Sequence, residues 1–274
     1  MKGKVKRKVI AWGLSFALVM GTVLGGPGLF MKAHAADAGV LYIIDSIGGT
    51  SESVTEDCTD SAGGWSYDAG TATLTLDGFQ GEYIEANGDI NIVLKGKNKI
   101  TISAESTEGI KSTGKVTIDD TISPAQDCLD IYCSDGTESV SMISTGGFGA
   151  DYATYIVGGT VNLVEENTRR RYVTGISRWA YVENDASLNI NLSADGGRNG
   201  VAALLNLNTS GDTSFRVNSL SSSSYGVYSL DKKGSGDTAL AAEGKAKNID
   251  NKFTIGSTGN TGKITIKGYL TDFT

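Results

Sequence analysis

Short runs with apolar residues at every second position recur along the chain from Gly78 onward. This alternation is what a β-strand with one buried and one exposed face requires. A polar, glycine-containing turn precedes many of the runs, as in Asn87-Gly88-Asp89 and Thr113-Gly114. The runs are Ile90/Ile92/Leu94 with Ile100/Ile102, Val116/Ile118, Val140/Met142, Val161/Leu163, Leu188/Ile190/Leu192, Phe215/Val217 and Ile264/Ile266.

The runs follow a period. Apolar anchor residues occur about every 19–26 residues, a spacing that with short strands is typical of a solenoid. The chain has neither helix-length amphipathic segments nor a leucine-rich repeat, so a parallel β-helix over residues 78–274 is predicted. An antiparallel β-sandwich is the alternative; the recurrence of the glycine-led turns at one place in the unit favours the β-helix. The anchors are Ile84, Ile110, Leu129, Tyr155, Ile176, Val201, Val227 and Ile249.

Residues 64–77 predict a β-hairpin that caps the first coil. Asp68-Ala69-Gly70-Thr71 has turn chemistry, with glycine able to adopt a positive φ. A two-residue turn would place Trp65 opposite Leu74 and Tyr67 opposite Ala72, with Trp65, Tyr67, Leu74 and Leu76 on one face. Residues 36–63 are interpreted as a lead-in, with a first strand at Val40 to Ile44 and a polar loop from Ser46 to Gly63.

Residues 1–35 predict a secretory signal peptide. A lysine-rich start is followed by an apolar run from Val9 to Leu24 and by the small-x-small site Ala33-His34-Ala35. An uncleaved anchor is the alternative, but the run is short for a bilayer span. We therefore expect a secreted or extracellular protein, either free or associated with the cell surface, with no stable membrane insertion after cleavage.

Signal removal changes the charge balance. The six signal charges are all basic, so 24 − 6 = 18 basic residues face 31 acidic ones, and the single histidine is lost. This acidic balance argues against nucleic-acid binding, and the missing imidazole excludes histidine-based triads and metal sites. The chain has an odd number of cysteines, namely Cys58, Cys128 and Cys133. Cys128 and Cys133 would face opposite sides of one strand and could not pair, so no disulfide framework is expected.

Two stretches resemble a known family. GIKSTGKVTI (residues 109–118), with IEANGDINIVLKGKNKI before it, is similar to repeats of secreted β-helix proteins of clostridia and related Gram-positive bacteria. GWSYDAGTATLTLDGF resembles a segment of surface proteins of the same bacteria, and the similarity is clear over residues 63–118 only. The resemblance implies a right-handed, single-stranded parallel β-helix that binds acidic or cellulosic polysaccharide without cleaving it, in some members with calcium.

Carbohydrate recognition needs aromatic rings beside polar groups. Trp179 and Tyr181 lie at alternate positions of a predicted strand, on the face that should meet solvent. Arg178 lies at a position that should face inward, which indicates a bulge or corner there. Tyr155 lies a coil away and, with Tyr152, Tyr225 and Tyr228, would form a lateral ladder if the rings stack in register with Trp179. The alternative is that Trp179 and Tyr181 only cover a seam. Arg170, within Arg169-Arg170-Arg171, could grip a uronate or simply neutralise Glu165 and Glu166.

An enzyme is the third possibility, since parallel β-helices include lyases and hydrolases. Arg198 near Asp195, or Arg178 near Glu183 and Asp185, would be candidates, whereas Asp119-Asp120 is interpreted as a turn. No acidic pair recurs, and no catalytic residue is assigned. The prediction is a secreted, non-catalytic polysaccharide-binding β-helix of about seven or eight coils that needs no cofactor, with calcium possible and the oligomeric state open. A structural or adhesive surface protein is the alternative.

Overall fold

The structure is a computed structural model, and the part of the chain it describes belongs to one compact unit, Ala36–Thr274. The described residues are 40–46, 48–120, 127–136, 139–147, 149–165, 173–184, 186–192, 204–210, 213–219, 230–233, 237–244, 248–249, 253–255, 264–267 and 269–270. The predicted signal peptide lies outside them. No helix within the described ranges has the length and apolar character needed to cross a membrane.

The described residues form an all-β structure in which most strands belong to three sheets. Sheet A contains β1 (Leu41–Ile44), β2 (Glu52–Val54), β7 (Tyr83–Ala86), β10 (Glu108–Ser112), β13 (Val140–Thr145) and β16 (Val173–Ile176). Sheet B contains β3 (Cys58–Asp60), β4 (Trp65–Asp68), β5 (Thr73–Asp77), β8 (Ile90–Lys95), β11 (Val116–Asp120), β14 (Thr154–Ile156), β17 (Arg178–Glu183), β19 (Leu204–Ser210), β21 (Leu230–Lys233) and β24 (Phe253–Ile255).

Sheet C contains β6 (Gln80–Gly81), β9 (Lys97–Ile102), β12 (Cys128–Cys133), β15 (Thr160–Glu165), β18 (Ser187–Leu192), β20 (Thr213–Ser219), β22 (Thr238–Gly244) and β25 (Ile264–Lys267). A small fourth sheet pairs β23 (Asn248–Ile249) with β26 (Tyr269–Leu270). The short 3-10 helix η1 (Ala150–Tyr152) precedes β14.

From β7 to β18 the chain visits sheets A, B and C in rotation, four times over. Each of these strands pairs in parallel with the strand of the same sheet one circuit away, as β8 does with β11 and β9 with β12. Farther along, the described strands β19 to β22 alternate between sheets B and C. This pairing is incompatible with the antiparallel sandwich considered as an alternative.

The pairing register defines which residues are equivalent. Ile84, Ile110, Ile143 and Ile176 lie opposite one another across sheet A, and all four are fully buried. Their separations are 26, 33 and 33 residues, so the predicted period of 19–26 residues is wrong in the middle of the chain. Leu129 and Tyr155, predicted as anchors of the same kind, belong to sheets C and B. Each circuit contains three apolar strands, and the turns between them vary in length, so even spacing does not mark equivalent positions.

The beginning of the described chain is antiparallel. Strand β1 pairs in this sense with β2 and with β7, and β3, β4 and β5 form an antiparallel series in sheet B. The predicted strand at Val40 to Ile44 is present as β1. The prediction of a loop from Ser46 to Gly63 is wrong, because β2 and β3 lie within it. These two strands are short, polar and mostly exposed, so they carry no apolar alternation by which to recognise them.

The hairpin of β4 and β5 has a different register from the predicted one. Trp65 pairs with Leu76 and Tyr67 with Leu74, because the connecting loop has four residues rather than two. The left-handed residue of this loop is Ala72, with φ 49°, not Gly70. The shift of two residues preserves side-chain parity, so Trp65, Tyr67, Leu74 and Leu76 are all buried on one face as predicted.

The cysteines are arranged as expected. Cys128 is half-buried and Cys133 is buried on the opposite face of β12, while Cys58 is exposed. No disulfide joins these three described residues. The stability of this part of the chain therefore comes from apolar packing and hydrogen bonding rather than from covalent cross-links.

One buried polar side chain ties successive circuits together. Asn98 is 1% exposed. Its Oδ1 accepts a hydrogen bond from the Phe79 backbone N–H at 3.0 Å, and its Nδ2 donates to the carbonyl oxygens of Lys95 and Cys128 at 3.2 and 3.3 Å. Since buried backbone groups are costly when left unpaired, this amide stabilises the path of the chain from sheet B into sheet C.

We expect Asn98→Ala to lower the free energy of unfolding by about 2–3 kcal/mol, because alanine leaves the buried Phe79 N–H without its acceptor. Asn91→Ala is the matched control: the Asn91 amide also donates to a carbonyl, that of Thr71 at 3.2 Å, but it lies on the exposed face of β8. The control should lose about 0.5 kcal/mol or less. Urea unfolding of both variants measures the difference, and equal losses would contradict this role of Asn98.

Candidate functional site

The strand singled out from the sequence, β17, has the predicted alternation. Ala180 and Val182 are fully buried, whereas Trp179, Tyr181 and Glu183 are half-exposed on the outer face of sheet B. The pairing of β17 with β19 shifts register between Arg178 and Trp179, which confirms the irregularity predicted at Arg178. The parity argument therefore places Trp179 and Tyr181 on the outer surface.

Tyr155 stacks on Tyr181. The two residues pair across β14 and β17, their ring centroids are 4.3 Å apart, and their planes differ by 9°. The prediction that Tyr155 stacks in register with Trp179 is therefore wrong, because the pairing register places Tyr155 opposite Tyr181. Because the rings cover each other, the stack offers a ligand its edges and hydroxyl groups more than its flat faces.

Tyr155 is held on both sides of its ring. The ammonium group of Lys115, which lies 3.9 Å from Asp89 Oδ2, is 5.7 Å from the ring centroid, within the range of a cation–π contact. The Tyr155 hydroxyl donates to the carbonyl oxygen of Ala150 at 3.3 Å. Burial raises the pKa of Tyr155 to about 12, with further contributions from Tyr181, Glu183 and Asp151. The phenol therefore stays protonated and remains a hydrogen-bond donor at neutral pH.

A second aromatic surface lies beside the stack. Tyr152 closes η1, and its side chain is 40% exposed. Its ring packs closely against Gly147: a Cβ atom at that glycine would be only 2.5 Å from the ring Cγ. Tyr152 thus presents ring surface to solvent from a fixed support, which the stacked pair does not.

Uncharged polar residues continue the line of the stacked tyrosines across sheet B. The pairing register joins Thr73 to Asn91, Asn91 to Thr117, and Thr117 to Tyr155. All are half-exposed, and neighbouring members are separated by one strand spacing, about 4.8 Å. We call this set the Thr–Asn–Tyr column; its members are Thr73, Asn91, Thr117, Tyr155 and Tyr181.

The outer face of sheet C carries a polar ladder that was not predicted. Asn162 donates to Asp130 Oδ1 at 2.7 Å, and Asn189 donates to Asn162 Oδ1 at 2.9 Å. Beside it, the Lys99 ammonium group lies 4.5 Å from the ring centroid of Tyr132. The sequence contains a sign of this ladder, because each ladder residue is the third residue of its strand. Recognising that sign requires the correct pairing register.

Several predicted residues cannot be placed. Arg170 and its neighbours, Glu166, Tyr225 and Tyr228, and the proposed lyase residues Asp185, Asp195 and Arg198 lie outside the described residues. Glu165 is fully buried at the end of β15. Asp119 and Asp120 are the last two residues of β11, so the prediction that they form a turn is wrong; their strand continues past the last apolar residue that marked it.

Within the described ranges, no three acidic or cysteine side chains converge in a way that could hold a metal ion. Binding of calcium stays a prediction. Comparison of the chain with protein-family models, with curated proteins and with solved structures gives no match. The geometry of the outer faces is therefore what indicates a function.

The raised pKa of Tyr155 makes a prediction about alkaline stability. The folded protein holds the phenolic proton more tightly than the unfolded chain, whose tyrosines ionise near 10.0. The contribution of this tighter proton binding to the free energy of unfolding is thus fully present below pH 10 and is lost as the pH rises towards about 12.

Tyr155→Phe should accordingly lose less stability than the wild-type protein between pH 10 and pH 12. The other tyrosines are common to both proteins, so the difference between the two curves isolates Tyr155. Chemical unfolding at a series of pH values provides the measurement. Parallel curves across this window would show that the Tyr155 environment is not as described.

Proposed function

We propose that the chain is a secreted, non-catalytic, right-handed parallel β-helix that binds polysaccharide along the outer face of sheet B. The rotation of the chain through three sheets, with parallel pairing between strands one circuit apart, supports the architecture. The lysine-rich, apolar start of the sequence supports secretion. The resemblance of residues 63–118 to clostridial carbohydrate-binding proteins agrees with this architecture and with secretion.

The Thr–Asn–Tyr column is the observation that carries the binding proposal. Its five residues supply hydroxyl and amide groups at one strand spacing over about 19 Å of surface. None is charged, and each is half-exposed. A regular line of neutral donors and acceptors suits a polymer whose hydroxyl groups also recur at regular intervals, and such a polymer would run across the strands rather than along them.

Tyr152 supplies the apolar part of the proposed site. Sugar rings expose C–H surfaces that pack on aromatic faces, and polar neighbours then orient the hydroxyl groups. The Tyr152 ring is exposed and contacts Gly147, and the stacked pair is connected to the same short helix η1 by the hydrogen bond from the Tyr155 hydroxyl to the Ala150 carbonyl. In this arrangement Tyr152 and the half-exposed Trp179 provide ring contacts, and the stacked pair provides hydroxyl groups.

A structural or adhesive role is the second candidate, and the sheet C ladder favours it. The bonds from Asn162 to Asp130 and from Asn189 to Asn162 join three successive circuits on the outside of the molecule. Side-chain bonds between circuits stiffen such an array without creating a binding surface. A protein whose role is to be a rigid spacer would need this ladder but would not need exposed tyrosines.

A pull-down on insoluble cellulose, pectin and peptidoglycan, with and without chelator, tests the binding proposal. We expect the protein to be retained on at least one of them. Tyr152→Ala should weaken retention about three- to tenfold because it removes an aromatic contact, and Tyr181→Ala should weaken it by a similar factor because it removes a hydroxyl group and the ring on which Tyr155 stacks.

Tyr132→Ala is the matched control, because Tyr132 is also a half-exposed tyrosine on an outer strand but belongs to sheet C. It should bind like the wild-type protein. Circular dichroism establishes that each variant is folded. Absence of retention on all three polymers would rule out the proposal in favour of the structural role, and release of reducing sugar would show an enzyme instead.

A further inference from the structure

An open groove lies at the beginning of sheet B, away from the stacked tyrosines. Its volume is about 440 Å³, and most of the residues that line it have polar side chains, although apolar atoms form a large part of its surface. Ser66, Thr73 and Thr75 line it from β4 and β5, with Ser66 paired to Thr75. The full lining is Asp57, Cys58, Thr59, Ser66, Tyr67, Asp68, Thr71, Thr73 and Thr75.

The groove and the Thr–Asn–Tyr column share a residue. Thr73 lines the groove and is also the first member of the column, where it pairs with Asn91. From Ser66 on β4 to Tyr181 on β17 the surface crosses five strand spacings, about 24 Å in all. A chain-like ligand on the column would therefore enter the groove if it continued past Asn91.

Two carboxylates give the groove its charge. Asp57 and Asp68 are both exposed, and they are the charged residues of its lining. Asp57 Oδ1 accepts the Ala69 N–H at 3.0 Å, and Asp68 Oδ1 accepts the Thr71 N–H at 3.2 Å, so backbone hydrogen bonds hold both side chains in place. An anionic ligand would meet two fixed negative charges here, whereas an ammonium group would be attracted.

We propose that this groove is the selective end of the binding surface: it accepts neutral and amino-sugar units and rejects uronates. The inference rests on the polysaccharide-binding function proposed above and adds the ligand class. The hydroxyl groups of Ser66 and Thr75 bind the sugar hydroxyl groups. The Thr73 hydroxyl, which accepts from the Thr71 hydroxyl at 2.9 Å and donates to the Thr71 carbonyl at 3.3 Å, accepts a further hydrogen bond from the sugar. Asp57 and Asp68 pair with the ammonium groups of glucosamine units. Of the acidic or cellulosic polysaccharides that the family resemblance implies, it selects the neutral class, and it differs from the prediction that Arg170 binds a uronate.

Titration calorimetry with three hexasaccharides, of glucose, glucosamine and galacturonate, at low ionic strength tests the assignment. We expect the glucosamine oligomer to bind about three- to tenfold more tightly than the glucose oligomer, as two exposed ion pairs allow, and this advantage should shrink when salt is added. The galacturonate oligomer should not bind. Preferential binding of galacturonate would overturn the inference.

Two sets of variants locate the effect. Asp57→Asn with Asp68→Asn removes both charges but keeps the oxygens that accept the backbone bonds, and should abolish the glucosamine advantage while leaving affinity for the glucose oligomer within about twofold. Thr73→Val with Thr75→Val should weaken binding of both oligomers about three- to tenfold, because two hydroxyl groups are lost at constant shape.

The control is Asp135→Asn. Asp135 is an exposed turn aspartate that accepts the Gly136 N–H at 3.0 Å, but it lies far along the chain, after β12.

The outcomes separate the two proposals. If the wild-type protein binds none of the oligomers and is not retained on polymers, the polysaccharide-binding function itself is wrong. If the wild-type protein binds and the groove variants bind as it does, the function stands and the groove assignment is wrong. Loss of the glucosamine advantage in the Asp135→Asn control would also overturn the assignment, because it would reflect net charge rather than the groove.

Discussion

Parallel, in-register pairing between successive circuits is the constraint on which the described structure depends. Each inward side chain packs against the residue at the same position one circuit away, as Ile84, Ile110, Ile143 and Ile176 do in sheet A. Since side-chain direction alternates with a period of two, a slip of one residue in any strand would turn its apolar residues to solvent. The same register aligns the outward residues, so the interior packing also creates the polar and aromatic columns of the surface.

Hydrogen bonds in the polar turns hold successive circuits in register. Between sheets A and B, the Gly88 N–H donates to Thr113 Oγ1 at 2.7 Å, and the Lys115 N–H donates to Asp89 Oδ1 at 2.8 Å. Gly88 has φ 103°, a conformation that side chains disfavour, which explains the glycine of the Asn-Gly-Asp turn. Between sheets B and C the buried amide of Asn98 has the equivalent role. These bonds connect neighbouring circuits rather than neighbours in sequence, so they fix the register that the apolar columns require.

Much of the fold can be predicted from the sequence because strand alternation is a local property. The strands around Ile90, Ile100 and Val161, and the exposed parity of Trp179 and Tyr181, follow from the positions of apolar residues alone. Pairing register is not local. The turns vary in length, so the sequence does not mark Ile143 as the equivalent of Ile110. For the same reason it reveals neither the partner of Tyr155 nor the Asp130–Asn162–Asn189 ladder. The polar edge strands β2 and β3 were missed for the related reason that exposed strands need no apolar alternation.

The candidate site shows the same division between local features, which can be predicted, and pairing register, which cannot. Single residues such as Tyr155 and Tyr181 could be nominated from their type, but the stack, the Thr–Asn–Tyr column and the groove exist only because separate circuits bring their residues together. Asp57 and Asp68 are eleven residues apart in a segment that was interpreted partly as loop, and nothing in the sequence marks them as two sides of one groove. The electrostatic character of the site therefore depends on the fold more than on any motif.

Hydroxyl-radical footprinting of the full chain, with and without a saturating neutral or amino-sugar oligomer, tests the central claim most directly. The account predicts that the ligand protects Tyr152, Tyr155 and Tyr181 on the sheet B side, while the oxidation of Tyr132 on sheet C does not change. Protection of Tyr132 without protection of the sheet B tyrosines would contradict the account, because it would place the ligand on the other outer face.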